Sequence, residues 1–300
     1  MRRLLKRTVE RLLVASRAPN FATRRHRSDI LVIAYHNVRR AGRQVNGDPS
    51  LHLSEKDFEQ QLDAILETHD VIPLQSVFER VEAPRRARIV ITFDDAYSSA
   101  LEVAVPMLVQ RGLPATIFVA PALLGMTTWW DELGSFPGGL SKQVRGVALS
   151  RHRGERQAIL KAAECSSGAQ ADRVVPAIAS LEQVREIAQA PGISIGSHTL
   201  SHRNLAALDA EDCMRELLES RRWLEVQVPG SIPWIAYPYG LYTPTVARQA
   251  ADAGYRGAFR VDGGWIRPSA DLDAFTLPRF NVPSGMSLDG FRLRIGGLTA

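Results

Sequence analysis

The sequence predicts a parallel α/β fold, and three observations support this. Short apolar runs alternate with segments of helical periodicity about seven times along the 300 residues. Polar side chains follow several of these runs directly, as they do at the carboxyl ends of strands in parallel α/β proteins. The composition, 45% hydrophobic and 23% charged, excludes disordered, collagen-like and disulfide-scaffold proteins. We therefore predict a barrel, with a doubly wound open sheet as the alternative.

The predicted strands are short apolar runs bounded by polar or turn residues. Their length and lack of alternation are typical of strands buried on both faces, as in a parallel sheet. In chain order they are Ile30–Tyr35, Arg88–Phe93, Ala115–Ala120, Ile193–Gly196, Trp234–Tyr237, Arg256–Arg260 and a run around Phe275–Val282.

The predicted helices lie between these strands and carry capping signals. Asp57 follows Ser54 by three residues, and Asp212 follows Asp209 by three, which is the capping-box spacing. Gly112 is a stop signal for the helix that ends at Arg111. The remaining predicted helices are near Leu181–Ala190, at Asp209–Val226 and near Pro244–Ala253.

Two regions stand apart from this alternation. Residues 125–179 are less regular and look like an insertion. Residues 1–27 hold nine basic side chains and one acidic one. The net charge of the whole chain is +5, so residues 28–300 carry a net charge of −3. We predict a basic amphipathic segment at 1–27 and a globular domain at 28–300. With no basic domain surface, we expect no nucleic-acid partner.

The N-terminal segment has three possible roles. Leu4, Leu5, Val9, Leu12 and Leu13 fall on one face at helical spacing, between basic residues. Such a helix could lie on an anionic membrane surface, dock on a partner or pack against the domain. No apolar run reaches the roughly 20 residues of a membrane span, and none makes a signal-peptide core. We therefore expect a cytoplasmic protein, or one peripheral on the cytoplasmic membrane face.

Candidate reactive residues are those that follow the predicted strands. They are His36, the pair Asp94 and Asp95, His198, Tyr239 and Arg279. Adjacent carboxylates leaving a strand point in different directions, so one can bind a metal while the other faces a substrate. A surface turn or helix cap would also explain the Asp pair.

A metal site is indicated by His198 and His202 together with the Asp pair. A four-residue spacing is one helical turn, which brings both imidazoles within reach of one ion. Two histidines and one carboxylate leave an open position on zinc for water, the catalytic arrangement. The histidine spacing alone would be weak evidence, and the nearby carboxylates make it stronger.

Several motifs resemble the polysaccharide deacetylases, that is, the NodB homology domain of carbohydrate esterase family 4. TFDD at Thr92–Asp95, HTLSH at His198–His202 and YPYG at Tyr237–Gly240 resemble the first three family motifs. YHNV at Tyr35–Val38 and LPRFNV at Leu277–Val282 resemble the branch acting on exopolysaccharides and poly-N-acetylglucosamine. The similarity runs in order from about residue 30 to the C-terminus.

The resemblance implies a fold, a reaction and roles for individual residues. The fold would be a deformed barrel of seven or eight β/α units, making 28–300 the catalytic domain. Asp94 would be the general base, while Asp95, His198 and His202 would bind Zn²⁺ or another divalent transition metal. The backbone N–H of Tyr239 would help hold the oxyanion. The enzyme would hydrolyse N-acetyl groups of a polysaccharide or lipid-linked oligosaccharide and release acetate.

Three positions depart from the family pattern. Ala96 follows the Asp pair where Gly is usual, a change that is tolerated unless φ is positive. Ala236 stands where an Arg often orients the base, and Arg279 stands near the position of an acid His. Arg279 is a poor proton donor at neutral pH. We therefore expect Arg279 to pair with Asp94, and His36 to be either the acid or substrate-binding group or a core histidine.

The sequence also allows other interpretations of the function and of individual residues. Trp129 and Trp130 could form an aromatic wall for sugars or cover the core beneath the insertion. The same site could hydrolyse a small cyclic amide or imide. The missing acid His and Arg would also suit a catalytically silent carbohydrate-binding homologue.

Overall fold

The strands form one large, mainly parallel sheet and a separate short pair. A computed structural model describes residues 2–43, 46–79, 81, 84–136, 139–164, 175–269 and 271–298. Its strands are β1 Ile30–Tyr35, β2 Asn37–Arg39, β3 His52–Ser54, β4 His69–Val71, β5 Ala87–Phe93, β6 Ala115–Val119, β7 Ile193–Ser197, β8 Trp234–Ala236, β9 Gly257–Phe259, β10 Trp265–Ile266 and β11 Phe280–Asn281.

The large sheet curls into a deformed barrel. Strands β1, β5, β6, β7, β8 and β9 are neighbours in that order and run parallel. Leu277 bridges Phe259 of β9, and β11 then pairs in parallel with β1, which brings the two ends of the sheet together. Strand β10 pairs antiparallel with β1, and β4 pairs with β5. The predicted barrel is confirmed, although the last predicted strand is shorter than expected.

Helices cover the outside of the barrel. They are α1 Arg2–Ala15, α2 Ala18–Thr23, α3 Glu55–Thr68, α4 Ser98–Gln110, α5 Trp129–Gly134, α6 Lys142–Ser150, α7 Arg156–Glu164, α8 Leu181–Ile187, α9 Ala210–Gln227, α10 Pro244–Asp252 and α11 Leu288–Ile295. Ser54 and Asp209 cap α3 and α9, accepting hydrogen bonds from the backbone N–H of Asp57 and Asp212 as the sequence predicts. No helix in the described ranges is long and apolar enough to cross a membrane.

Alternation along the strands places reactive side chains inside the barrel. Ile30 and Val32 of β1 share a buried cluster with Val90 of β5. Leu31 and Ile33, of opposite parity, pack in the larger cluster under the helices. Residue 94 is four positions after Val90, so its side chain lies on the same face of the strand. Asp94 therefore continues the row of side chains that point into the barrel, at the carboxyl end of β5.

Helices α5, α6 and α7 belong to the region expected to be an insertion. They lie within residues 125–179, of which 165–174 are outside the described ranges. Backbone bonds tie this region to the barrel edge, since the N–H of Ser98 donates to Ala177 and that of Ala179 donates to Ala96. The region therefore contacts the chain just after the predicted Asp pair.

Candidate active site

Asp94 is held by a two-pronged ion pair with Arg279. The guanidinium nitrogens Nη1 and Nη2 donate to the two carboxylate oxygens of Asp94 over 2.7 and 2.8 Å. Nη1 also donates to the hydroxyl of Thr92 over 3.1 Å. Arg279 is fully buried, and its guanidinium lies over the rings of Phe118 and Phe259 at 5.4 and 5.8 Å. The structure thus brings Arg279 to the side chain with which the sequence analysis paired it.

Asp95 points away from Arg279, toward the two histidines. Its Oδ1 lies 3.2 Å from Nε2 of His202 and 3.6 Å from Nε2 of His198. The two Nε2 atoms are 3.1 Å apart. All three side chains are buried, and each offers one ligand atom within 4.8 Å of the others. The adjacent carboxylates therefore have different nearest partners, although Nε2 of His198 also lies 4.0 Å from Oδ2 of Asp94.

The histidine pair is brought together by a turn instead of the helical turn that the spacing suggested. Residues 198–204 follow β7 without forming a helix. Thr199 and His202 have φ of 66° and 59°, and the hydroxyl of Thr199 accepts from the N–H of His202 over 3.1 Å. Buried Glu216 of α9 accepts from the N–H of Ser201 over 2.8 Å and anchors the turn.

Left-handed backbone recurs at this site. Asp95, Ala96 and Tyr239 have φ of 66°, 57° and 59°, in addition to the two residues of the histidine turn. Non-glycine residues in this region cost about 1 kcal/mol or more each, and such strain gathers at functional sites. Ala96 thus adopts the positive φ for which the family's usual Gly is suited, so the substitution is accommodated with strain.

The tautomer of His198 is set by a backbone carbonyl. Its Nδ1 lies 2.7 Å from the carbonyl oxygen of Ala236, which requires the proton on Nδ1 and leaves the Nε2 lone pair facing Asp95 and His202. Burial lowers the pKa of His198 to about 4, and the ring is neutral at neutral pH. Ala236, where the family often has Arg, thus contributes through its carbonyl.

The pKa values of the two carboxylates are lowered by different neighbours. Burial alone would raise the pKa of Asp94, but Arg279 and then His198 hold it well below its ordinary value. Burial likewise opposes ionisation of Asp95, and His202 followed by His198 lowers its pKa. His36 contributes a smaller lowering at both carboxyls. Two charged oxygen groups and two imidazoles therefore share one buried cluster.

The residues form the wall of an open pocket of about 470 Å³ at the strand ends. His36, Asp94, Asp95, His198, His202 and Tyr239 all line it. His36 is half-buried, so its exposure is intermediate between that of a core residue and that of a surface residue. The structure therefore brings every predicted site residue to one place, with Arg279 directly behind Asp94.

Sequence reasoning missed other residues that line the pocket. Asp48 and Arg145 line the pocket and form an ion pair with each other, and neither belongs to a recognisable motif. Asn281 lies on β11 two residues after Arg279, and this period-two spacing is the signal that could have identified it. Trp130 also lines the pocket, although its ring is mostly buried.

Helix α5 supports the pocket from behind. The Nε1 of Trp129 donates to the hydroxyl of Tyr239, and that of Trp130 to the hydroxyl of Tyr97, each over 2.9 Å. Both rings are almost completely buried, which favours the core role over a free aromatic wall for sugars. The ring of Tyr239 packs 4.6 Å from His202, so α5 positions the rim through Tyr239.

The cluster of Asp95, His198 and His202 fits a divalent transition metal. Oδ1 of Asp95 is buried without a hydrogen-bonding partner within the described part of the chain. Two imidazole Nε2 atoms face it, and for His198 that nitrogen carries the lone pair. Ligands of one zinc ion lie about 2.0–2.3 Å from it, so donor atoms separated by 3.1–3.6 Å suit a shared ion.

A parallel barrel with this acid–histidine pocket at its carboxyl-terminal edge defines a barrel hydrolase. Residues 82–258 match the family profile described as polysaccharide deacetylase. The chain belongs to the polysaccharide deacetylase family, as its motifs predict.

Individual relatives agree with this assignment. YxkH of Bacillus subtilis strain 168, whose name describes it as a polysaccharide deacetylase, is 24% identical over 267 residues, covering 87% of this chain and 74% of the relative. The deacetylase PplD of Streptococcus pyogenes, solved with acetate, has a TM-score of 0.61 at 22% identity, with 89% and 98% of the two chains covered. IcaB of Ammonifex degensii has a TM-score of 0.60 at 17% identity, covering 90% and 96%. These structures share the deformed barrel fold.

Proposed function

We propose that this protein is a metal-dependent deacetylase that removes N-acetyl groups from amino sugars of a polysaccharide or lipid-linked oligosaccharide and releases acetate. The proposal rests on one observation, which is that the two adjacent carboxylates have different nearest partners. Asp95 faces His198 and His202, while Asp94 is held by Arg279 beside them. An amide hydrolase needs this separation of a metal ligand from a proton acceptor.

The proposed metal ligands are Asp95, His198 and His202, and zinc is the ion that best suits two imidazoles and one carboxylate. When bound, such an ion polarises the amide carbonyl and lowers the pKa of its water toward about 7. The carbonyl of Ala236 holds the ring of His198 in the ligating tautomer. The turn anchored by Glu216 holds His202 beside it.

Asp94 is the proposed general base, and Arg279 is its positioning residue. An acetamide is a poor electrophile, so its attack by water requires a group that accepts the water's proton. The guanidinium fork fixes both carboxylate oxygens of Asp94 and keeps the group ionised. This takes over the role of the Arg that the family often has at position 236. Proton transfer by a positioned group contributes roughly 10²–10⁴-fold to such reactions.

His36 and Tyr239 are the proposed groups for the later part of the reaction. His36 lines the pocket, and it is the proposed donor to the leaving amine or a substrate-binding group. The backbone N–H of Tyr239 is the proposed donor to the oxyanion. Trp129 holds the Tyr239 side chain and so the loop that carries this N–H.

An assay on two substrates tests the proposal. Purified protein loaded with zinc is incubated with N-acetylglucosamine oligomers and, separately, with a cyclic imide, while acetate, free amine and ring opening are measured. We expect acetate and free amine in equal amounts from the oligomers and no opening of the imide. Imide opening without acetate would assign the site to small cyclic amides. Oligomer binding without acetate release would assign it to a silent carbohydrate-binding homologue.

A further inference from the structure

Helix α1 turns an apolar strip toward solvent. Leu5, Val9, Leu12 and Leu13, here called the apolar strip, lie on one side of the helix at helical spacing. Leu5 and Leu12 are 68% and 65% exposed, values unusual for leucine. Phe21 of the following helix α2 is also exposed, at 62%. The side of α1 that an amphipathic helix normally buries is therefore uncovered.

The helix is attached to the barrel by its other side. Glu10 is only 4% exposed, and its carboxylate accepts a hydrogen bond of 2.6 Å from the hydroxyl of Ser287. Ser287 caps α11, so the carboxylate lies at the positive end of that helix dipole. The hydrogen bond between Glu10 and Ser287 thus holds α1 against α11 and leaves the apolar strip exposed.

The surroundings of the apolar strip are cationic. Residues 1–27 contain nine basic side chains, and their one acidic residue is the buried Glu10. Exposed basic residues of the segment include Lys6, Arg7, Arg11, Arg17, Arg24, Arg25 and Arg27. No exposed carboxylate within this segment offsets their charge.

We infer that the apolar strip and its surrounding cations dock this enzyme on an anionic lipid surface. Apolar side chains exposed along one side of a basic helix insert at the boundary between headgroups and acyl chains. Lysine and arginine near an anionic leaflet add about 1 kcal/mol each. A binding surface for a protein would need matching acidic groups, whereas a leaflet supplies negative charge without a fixed pattern.

Helix α1 lines a cavity that shares residues with the catalytic pocket. A cavity of about 1250 Å³ lies between α1 and the barrel, lined by Lys6, Arg7 and Glu10 on the helix side. Val261 and Asn281 line both this cavity and the catalytic pocket. The cavity beside α1 therefore adjoins the catalytic pocket through these two residues.

Flotation of the full chain with vesicles tests the inference without using activity. Vesicles of phosphatidylcholine alone are compared with vesicles containing about 30% phosphatidylglycerol, at low salt and at about 0.5 M salt. We expect binding to the anionic vesicles only, weakened by salt. The double variant Leu5→Ser, Leu12→Ser should bind at least about tenfold more weakly. Val226→Ser is the matched control, because Val226 on α9 is 71% exposed and outside the strip.

Three results would overturn the inference. They are equal binding to both kinds of vesicle, unchanged binding of the double variant, and no binding of the unaltered chain. Self-association or partner capture in place of vesicle binding would assign the strip to protein contacts and would also overturn it. Circular dichroism of the double variant confirms folding, since both leucines are exposed and their loss should leave the barrel intact.

Discussion

At the scale of the residue, Arg279 has two opposing effects on the proposed base. It keeps Asp94 ionised in a buried site, and the same attraction lowers the basicity of that carboxylate. Geometry compensates, because both oxygens are fixed at the pocket wall by the guanidinium fork. The balance of the two effects favours a positioned, permanently charged acceptor over a stronger but mobile base.

Substitution of Arg279 should lower turnover without removing the metal. Arg279→Ala leaves Asp94 without its partner, and we expect kcat to fall by about 10²-fold with metal content retained, measured by acetate release and elemental analysis. Arg279→Lys keeps the charge but loses the two-pronged contact, so it should recover only part of the rate. Unchanged kcat in Arg279→Ala would contradict the positioning role.

His36 is the residue whose role depends most directly on a pH profile. If it protonates the leaving amine, His36→Ala should lower kcat by about 10²-fold and remove the loss of activity at alkaline pH. If it only binds substrate, KM should rise and the profile should keep its shape. A normal rate together with a normal pH profile would make His36 a structural residue.

At the scale of the element, α5 shows how an insertion can serve the site. Buried Asp131 accepts hydrogen bonds from the hydroxyl of Tyr97, the N–H of Asp48 and the ring of His52, at 2.6–3.0 Å. Tyr97 follows the strained Asp95–Ala96 pair, and Asp48 lines the pocket. One side chain of α5 therefore connects three segments around the pocket.

Removal of this side chain should destabilise the fold more than removal of its neighbour. Asp131→Ala leaves several buried donors unpaired, so we expect a loss of about 3 kcal/mol in the free energy of unfolding. Glu132→Ala on the same helix is the matched control, with an expected loss of about 1 kcal/mol or less because its ion pair is partly exposed. Urea denaturation measures both, and equal losses would contradict the connecting role of Asp131.

Much of the architecture could be predicted from local signals, whereas the long-range contacts could not. Apolar runs and caps predicted β1, β5 and α9 within a residue or two. Burial on both faces of a strand and the capping of a helix depend on residues that are close together in the sequence. Strand β10 and the closure of the barrel by Leu277 involve two or three residues with no periodicity. The burial of Trp129 depends on tertiary packing that its own sequence does not encode.

The site was predictable to the extent that its proposed metal ligands and base follow strands. Asp94, Asp95 and His198 stand at strand ends, where position alone indicates chemistry. The pairing of Arg279 with Asp94 was suggested by the absence of an Arg at position 236. Asp48 and Arg145 come from irregular and inserted segments, and only the folded chain places them at the pocket.

At the scale of the whole molecule, a buried histidine far from the pocket should limit acid stability. His69, at the start of β4, is 1% exposed, and burial lowers its pKa from 6.5 to about 4. Between these values the unfolded chain binds the proton and the folded chain does not. Stability is therefore full above about pH 6.5 and is lost as pH falls toward 4.

Replacement of His69 should flatten this dependence. His69→Gln removes one titrating group, so the slope of unfolding free energy between pH 4 and 6.5 should decrease by about 1.4 kcal/mol per pH unit. Urea denaturation at half-unit intervals of pH measures the slope. An identical slope in the variant and the unaltered protein would show that His69 makes no contribution.

The central claim, that neighbouring carboxylates divide metal binding from proton acceptance, is tested most directly by one paired measurement. Metal content and acetate release are determined on the same preparations of the unaltered protein, Asp95→Asn and Asp94→Asn. The account predicts about one zinc per unaltered chain, loss of both metal and activity in Asp95→Asn, and retained metal with a 10²–10⁴-fold slower release in Asp94→Asn. Retained metal in Asp95→Asn, or an unchanged rate in Asp94→Asn, would contradict it.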